Sequence, residues 1–377
     1  MVFNITLYVA LILFALGMCY RFSTWFRNNV GLSPSNATTW ARIAAAIKGC
    51  FLTMFSRQIG CLLKAFFVDV VFQLNIFKDK KDPLVWPMHM CIYGGFTLLL
   101  LMHALDHFVS SRLFADYYPT LNPFLFLRNV FGGIVMVGLT LAIIRRSLLK
   151  KSGLMRNTMD VYAMTILAII VLSGFLLEAT KINSHSLYKK MVEEYALFDS
   201  KEEAQALEAF WVGQFGVASP NNLGAVDAET LALGNKLNNI SCSGCHSNPK
   251  WAFISYGMAK TIRSAALPLN KGHLLTILWY VHFLSCFFGL VYIPFGKMFH
   301  IVATPLSILV NAASKETTSD PVNIATKLCI ELDGCKHGGG CHSECPIQKK
   351  RQRELNALAR SKPILGYIEK HLRIRSD

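Results

Sequence analysis

Long apolar runs constrain this chain more than any motif does. Five stretches approach the length that crosses a hydrocarbon layer: about residues 5–22, 85–107, 129–147, 159–180 and 273–298. Inside lipid only helices or closed barrels satisfy every backbone polar group, and about twenty apolar residues in a helix reach across. The runs predict an all-α integral membrane protein built on a five-helix transmembrane bundle. Charged residues make up only 16% of the chain, against about 25% in a soluble globular domain. A further apolar region, Ile47 to Phe77, is interrupted by Lys48, Arg57, Lys64 and Asp69. Charges at that wide spacing predict a helix lying at the interface, with a sixth span as the alternative. No basic residue precedes the first run and no small-residue cleavage site follows it, so it reads as an uncleaved anchor.

The net charge of +15 does not indicate nucleic acid, because the basic residues cluster beside the spans rather than among aromatic platforms. They assign the sides of the membrane instead. Residues 22–84 carry Arg27, Arg42, Lys48, Arg57, Lys64, Lys78, Lys80 and Lys81. The next loop on that side has Arg145, Arg146, Lys150, Lys151 and Arg156, and the tail adds Lys349, Lys350, Arg351 and Arg353. These segments belong to the cytoplasmic side of an inner membrane, with the N-terminus periplasmic and the C-terminus cytoplasmic. The expected organisation is four spans in 1–180 with a cytoplasmic interfacial segment at 39–84, a periplasmic insertion at 181–271, the fifth span in 272–310, and a cytoplasmic tail at 311–377. The insertion is too long for a structureless connector and predicts a small helical domain.

That insertion contains Cys242-Ser243-Gly244-Cys245-His246. Two cysteines separated by two residues and followed by histidine form the attachment signature of a c-type haem, with His246 as proximal ligand. On a cytoplasmic loop the same spacing could be a zinc knuckle; on an outward loop it points to haem c. The sixth ligand carries no spacing signature: Met258 and His185 are both candidates, and Met258 could equally be core packing.

Ionisable residues inside spans are functional candidates. The second span holds His89 and His103, with His107 at its outer end; the fifth holds His282 and ends at His300. On ideal helices His89 and His103 lie on nearly one face, roughly 21 Å apart, and His282 and His300 on one face, roughly 27 Å apart. The two helices run in opposite directions. His103 would therefore meet His282 toward the outer side, and His89 would meet His300 toward the inner side, each pair clamping one of two b haems. His107 is the alternative to His103. Lone polar residues bonded across helices are the bland reading.

Pro294-Phe295-Gly296-Lys297-Met298-Phe299-His300, with a histidine eighteen residues upstream, resembles the last span of respiratory nitrate reductase gamma subunits. Gly132-Gly133, Arg145-Arg146 and Asp160 resemble that family too. Trp86-Pro87-Met88-His89 followed by Gly94-Gly95-Phe96 resembles its branch in heterodisulfide-reductase-like complexes, which includes cytochrome b subunits of sulfite-reduction and transmembrane cytochrome complexes. The resemblance covers 1–180 and 272–310. It implies five spans, two bis-histidine b haems and quinone or electron-transfer work. The wider spacing of the second-span histidines, the haem insertion and the cysteine tail depart from nitrate reductase gamma subunits and argue against nitrate reductase as partner.

Cys329, Cys335, Cys341 and Cys345, the last followed by Pro346, crowd the tail. The closing C-x3-C-P resembles the end of a ferredoxin motif, so the four thiolates predict a [4Fe–4S] cluster, with zinc as the alternative. His107, Asp106, Arg128, Glu178 and Lys181 fall at the outer ends of spans two to four. They are candidates for a menaquinone site, Arg128 lying roughly where the resembled family has a basic quinol-site residue, or they are interfacial anchors. The expectation is a cytochrome b/c subunit moving electrons between the membrane quinone or a periplasmic multihaem cytochrome c and a cytosolic iron–sulfur subunit of heterodisulfide-reductase type. The alternative is an electron-transfer and docking subunit with no quinone site.

Overall fold

The computed structural model describes residues 2–28, 37–78, 82–150, 158–223, 226–313 and 321–334, and every regular element among them is helical. The principal helices are α1 (Val2–Arg27), α2 (Thr39–Met54), α3 (Ile59–Ala65), α4 (Val85–Leu99), α5 (Phe124–Lys150), α6 (Thr158–Asn183), α7 (His185–Tyr195), α8 (Lys201–Phe210), α9 (Ala228–Ser241), α10 (Phe253–Ile262), α11 (Leu274–Tyr292), α12 (His300–Ala313) and α13 (Pro321–Gly334). Among the described residues, five spans are long and apolar enough to cross a membrane: Val2–Arg27, Val85–Ala104, Phe124–Leu148, Val161–Asn183 and Leu274–Phe295. α2 and the segment Ile59–Val71 would add a sixth only if counted as one span, and they meet at a 95° bend.

The helices group into two compact units, Met1–Leu11 with Gln73–Tyr292, and Ile12–Phe72 with Ile293–Asp377. In the first, α4 and α5 approach closely through small residues. A Cβ on Gly138 would lie 2.7 Å from the Ile92 side chain, and one on Gly95 would lie 3.0 Å from the Phe131 carbonyl oxygen. Val135, Leu139, Leu167, Val171 and Phe175 fill the space between α5 and α6. α10 packs on both: Ser255 and Ala259 are buried, and Asn183 Nδ2 donates to Ala259 O at 2.7 Å.

The insertion folds within this same unit as spans two to five. Ser184, Ser200 and Asp227 cap α7, α8 and α9 by accepting from Leu187, Glu203 and Thr230 N–H, each cap contributing about 1 kcal/mol. Its core is Tyr188, Leu207, Trp211, Phe215, Val217 and Cys242. α8 and α9 cross at Gly234, where a Cβ would collide with the Ala206 carbonyl oxygen. Trp211 Nε1 donates to the buried Asn238 side chain at 3.1 Å, which removes the cost of burying both polar groups.

The second unit is organised around Arg42, a charged residue only 2% exposed. Its Nη2 donates to Trp25 O at 2.5 Å, its Nη1 to Asn28 O at 2.9 Å and its Nε to Thr326 Oγ1 at 2.9 Å. Two of those acceptors are carbonyls at the C-terminal end of α1, which lack intrahelical partners and carry the negative end of the helix dipole. Asp333 joins the same helices from α13, accepting from Arg21 Nη2 at 2.9 Å and Trp25 Nε1 at 2.6 Å. Trp25, Phe299, Ala303, Cys329 and Ile330 form the apolar core beneath.

Two expectations about helix continuity are corrected. The fifth span does not run on to 298: α11 ends at Tyr292, and two short 3-10 turns, Ile293–Phe295 and Lys297–Phe299, separate it from α12, which starts at His300. Pro294 supplies no N–H for a continuing helix, and Gly296 between the turns is extended. The five-turn relation between His282 and His300 therefore does not exist. In the second span, α4 widens into a π-turn at Leu100–Ala104, so His103 departs from the ideal register that placed it relative to His89.

Replacing Arg42 with Met leaves the α1 carbonyls without donors. We expect a loss of about 2–4 kcal/mol of local stability, read as faster amide exchange in Pro321–Gly334 while exchange in α5 and α6 stays unchanged.

Candidate functional site

His103, in the π-turn that ends the second span, faces His282 of α11, with ring centroids 6.1 Å apart and planes tilted by 42°. His282 Nδ1 lies 3.1 Å from Ile170 O and 3.1 Å from Ser173 Oγ. Ser173 donates its own hydroxyl proton to Ile170 O at 3.1 Å. A carbonyl can only accept, so Nδ1 carries the proton and Nε2 keeps the lone pair, the tautomer a metal-binding histidine requires. Gly174 makes room for the ring, since a Cβ there would meet His282 Cε1 at 3.1 Å. Two metal–nitrogen bonds of ~2 Å, each with a ring centre about 1 Å farther on, separate facing imidazole centroids by about 6 Å. The donor set and the separation fit one iron held by both rings. His107 lies beyond the π-turn, exposed, with its ring against Phe108.

The other two span histidines are also oriented through Nδ1. His89 Nδ1 is 2.6 Å from Gln73 Oε1, and Gln73 itself has a left-handed backbone with φ 51°, uncommon for a non-glycine residue. His300 Nδ1 is 2.7 Å from Lys297 O at the start of α12. His89 belongs to the first unit and His300 to the second.

Beside the His103–His282 pair sits a polar cluster. Arg128 Nη2 binds Glu178 Oε1 at 3.1 Å, and its Nη1 donates to Pro119 O at 2.9 Å. Glu178 Oε2 accepts from Asn129 Nδ2 at 2.8 Å and from Ser255 Oγ at 2.6 Å, and Ser255 N–H donates to Asn129 Oδ1 at 3.2 Å. Asn129 and Ser255 are buried and the Arg128–Glu178 pair nearly so. A buried ion pair with its remaining oxygens satisfied is a stable arrangement, whereas removal of either charge is costly. Arg128 and Lys181 both lie within electrostatic range of His103 and His282. Sequence reasoning found Arg128 and Glu178 but missed Asn129, Ser173, Ser255 and Gln73. Asn129 and Ser173 carried a signal, as polar residues inside apolar runs; Ser255 and Gln73 carried none.

In the insertion, Cys242 follows α9 and is 6% exposed, whereas Cys245 is exposed. The Cys245 and His246 N–H groups donate back to Cys242 O at 3.2 and 3.0 Å, so the motif closes on itself as a turn. His246 sets its ring edge-on to Trp211, centroids 6.0 Å apart. Burial pushes the Cys242 thiol up to about 11, with Cys245 adding to the effect, and lowers the pKa of His246. The thiol stays protonated and the imidazole neutral at pH 7, and a neutral imidazole is the form that ligates iron. Met258 packs against the Val135–Phe175 cluster. His185 Nε2 is 2.9 Å from Glu208, a buried carboxylate that also accepts from Ser219 and Asn221.

Of the four tail cysteines, Cys329 is within the described residues. It lies inside α13, 6% exposed, with its Sγ donating to Asn28 O at 3.4 Å, and burial raises its pKa. It belongs to the core of the second unit, because the apolar face of α13 carries it inward. Cys335, Cys341 and Cys345 lie outside the described residues. Among the described residues no group of three or more His, Cys, Asp or Glu side chains could hold a metal ion.

No family model and no solved structure matches the chain. Curated relatives do. They are E subunits of dihydromethanophenazine:CoB–CoM heterodisulfide reductase from several Methanosarcina species. The Methanosarcina barkeri protein is 25% identical over 211 residues, covering 51% of this chain and 77% of the relative. The Methanosarcina mazei protein is 25% identical over 190 residues, covering 46% and 70%, and the Methanosarcina acetivorans protein is 27% identical over 155 residues, covering 37% and 56%. The chain is thus a multi-pass, all-helical membrane protein with distant homologues among heterodisulfide reductase membrane subunits, the heterodisulfide-reductase branch of the resemblance rather than the nitrate reductase gamma branch.

Proposed function

We propose that this chain is the membrane-embedded cytochrome subunit of an electron-transfer complex. The facing His103 and His282 rings, with the His282 Nδ1 proton tied to Ile170 O, are the observation that carries this reading. His103 and His282 would hold one b haem, and Cys242, Cys245 and His246 a c haem; His89 and His300, each oriented through its own Nδ1 contact, are each candidate ligands of a second b haem. Haem supplies the one-electron chemistry; the protein supplies ligands, orientation and a low-dielectric surround. Cys329, Cys335, Cys341 and Cys345 would hold a [4Fe–4S] cluster or zinc. Support for a partner subunit comes from the name of the relatives, which makes them one lettered subunit of a heterodisulfide reductase; that the partner is a cytosolic iron–sulfur protein is part of the proposal. The basic loops favour an inner-membrane orientation with the insertion periplasmic.

On the outer side the donor or acceptor would be a quinol-type membrane carrier or a periplasmic multihaem cytochrome c. The first is favoured by the dihydromethanophenazine in the relatives' name, a dihydro and therefore reduced phenazine. The second, in which the chain is a wire with no quinone site, is favoured by Arg128: its guanidinium is engaged by Glu178 and Pro119 O.

Two measurements test these statements. Pyridine haemochrome analysis of the purified protein should give two b haems per c haem. His103→Ala or His282→Ala should each remove one b haem and leave the c haem, while Cys242→Ser with Cys245→Ser should remove only covalent haem. Retention of both b haems in either histidine variant would overturn the His103–His282 assignment. For the carrier, stopped-flow mixing of oxidised protein with a reduced menaquinone analogue should reduce the b-haem bands rapidly if quinol reacts here. No reduction by quinol, with fast reduction by a reduced c-type cytochrome, would leave the wire.

A further inference from the structure

The loop that follows the second span and the loop that carries the CxxCH motif are joined at three points. Thr120 Oγ1 donates to Cys245 O at 2.5 Å, Ser247 N–H donates to Thr120 O at 3.0 Å, and Asn122 N–H donates to Ser247 Oγ at 2.9 Å. These bonds link positions about 125 residues apart in the chain. The same loop is tied to the His103–His282 pair. Tyr117 donates its hydroxyl proton to Met102 O, the carbonyl adjoining His103. Burial, with Asp106 nearby, holds the Tyr117 phenol above its ordinary pKa, so it remains a donor. Arg128 grips Pro119 O while its other nitrogen holds Glu178, and Glu178 is fixed by Asn129 and by Ser255 of α10.

One short loop therefore touches the turn bearing His103 at one end and Cys245 and Ser247, flanking His246, at the other. Each bond contributes only about 0.5–1.5 kcal/mol net, but together they determine where one motif stands relative to the other. We propose that the Tyr117–Pro123 loop is a positioning strut, setting the separation and orientation of the c-haem motif relative to His103 and His282 and so the rate at which one electron passes between them. This rests on the reading of both sets of residues as haem ligands. In the step, a ferrous haem at Cys242, Cys245 and His246 is oxidised and a ferric haem at His103 and His282 is reduced by the same electron, with no bond made or broken. The strut takes no part in the chemistry, and a small displacement of reacting centres is enough to change a rate greatly.

The test uses the full-length protein in detergent, with Thr120→Val, Ser247→Ala and the conservative Thr120→Ser. After rapid reduction of the c haem, the appearance of reduced b haem is followed at its own absorbance band. Thr120→Val and Ser247→Ala should slow this by roughly tenfold or more, with covalent and b-haem contents, band positions and midpoint potentials unchanged. Thr120→Ser, which keeps the hydroxyl, should restore the rate, and Thr261→Val, whose hydroxyl bonds only within α10, should leave it unchanged. Amide exchange at Asn122 and Ser247 should quicken in the two disabling variants, a readout independent of electron transfer. Wild-type rates in both disabling variants, or loss of haem from either, would overturn the strut while the haem reading stands. Wild-type protein that lacked the c haem or the b haem of His103 and His282 would overturn both.

Discussion

A polar group placed in hydrocarbon must bring its own partner, because no water is there to supply one. His282 meets that requirement through its Nδ1 proton, held by the Ile170 carbonyl and the Ser173 hydroxyl of the fourth span. The bond sets the tautomer, turns the ring, and needs the close approach that Gly174 permits. The facing position of His103 follows from a π-turn, which lets the chain leave helical register at the level where the ring is needed. Arg128 and Glu178 obey the same rule, neutralising each other and using Asn129 and Ser255 for the remaining oxygen.

The second unit solves a related problem with one buried cation. Arg42 would be untenable alone in an apolar core, and the α1 carbonyls would be nearly as costly without donors. Each removes the other's penalty. Docking of α13 then follows from Thr326 on Arg42 and from Asp333 on Arg21 and Trp25. This is why Cys329, which reads in sequence as the first member of a metal-binding run, is carried into the core.

Much of the architecture was legible. The five spans stand out because membrane length and apolarity are local properties, and the length of the insertion was enough to expect a folded helical domain there. The misreadings came where local rules compete. The apolar stretch between His282 and His300 suggested one helix, but Pro294 interrupts the hydrogen-bond ladder. The stretch between His89 and His103 suggested ideal geometry, but the π-turn inserts extra residues per turn. Arg128 was recognisable as a cation at the end of a span, yet its use as a clamp on Glu178 and Pro119 could not be read from its neighbours in sequence.

By itself the sequence determined that this chain is a helical membrane protein with histidines inside its spans and a CxxCH motif in its longest loop between spans. Hydropathy and motif spacing act over a few positions, so a short stretch of sequence is enough to read them. Only the tertiary structure decided that His103 rather than His107 stands beside His282, that Ile170 and Ser173 orient it, that Cys329 is core, and that Thr120 holds Cys245. Those partners lie from about one hundred to three hundred residues apart. Which of several polar groups meets which is settled by the close approach of packed helices and by the cost of leaving any one of them unpaired.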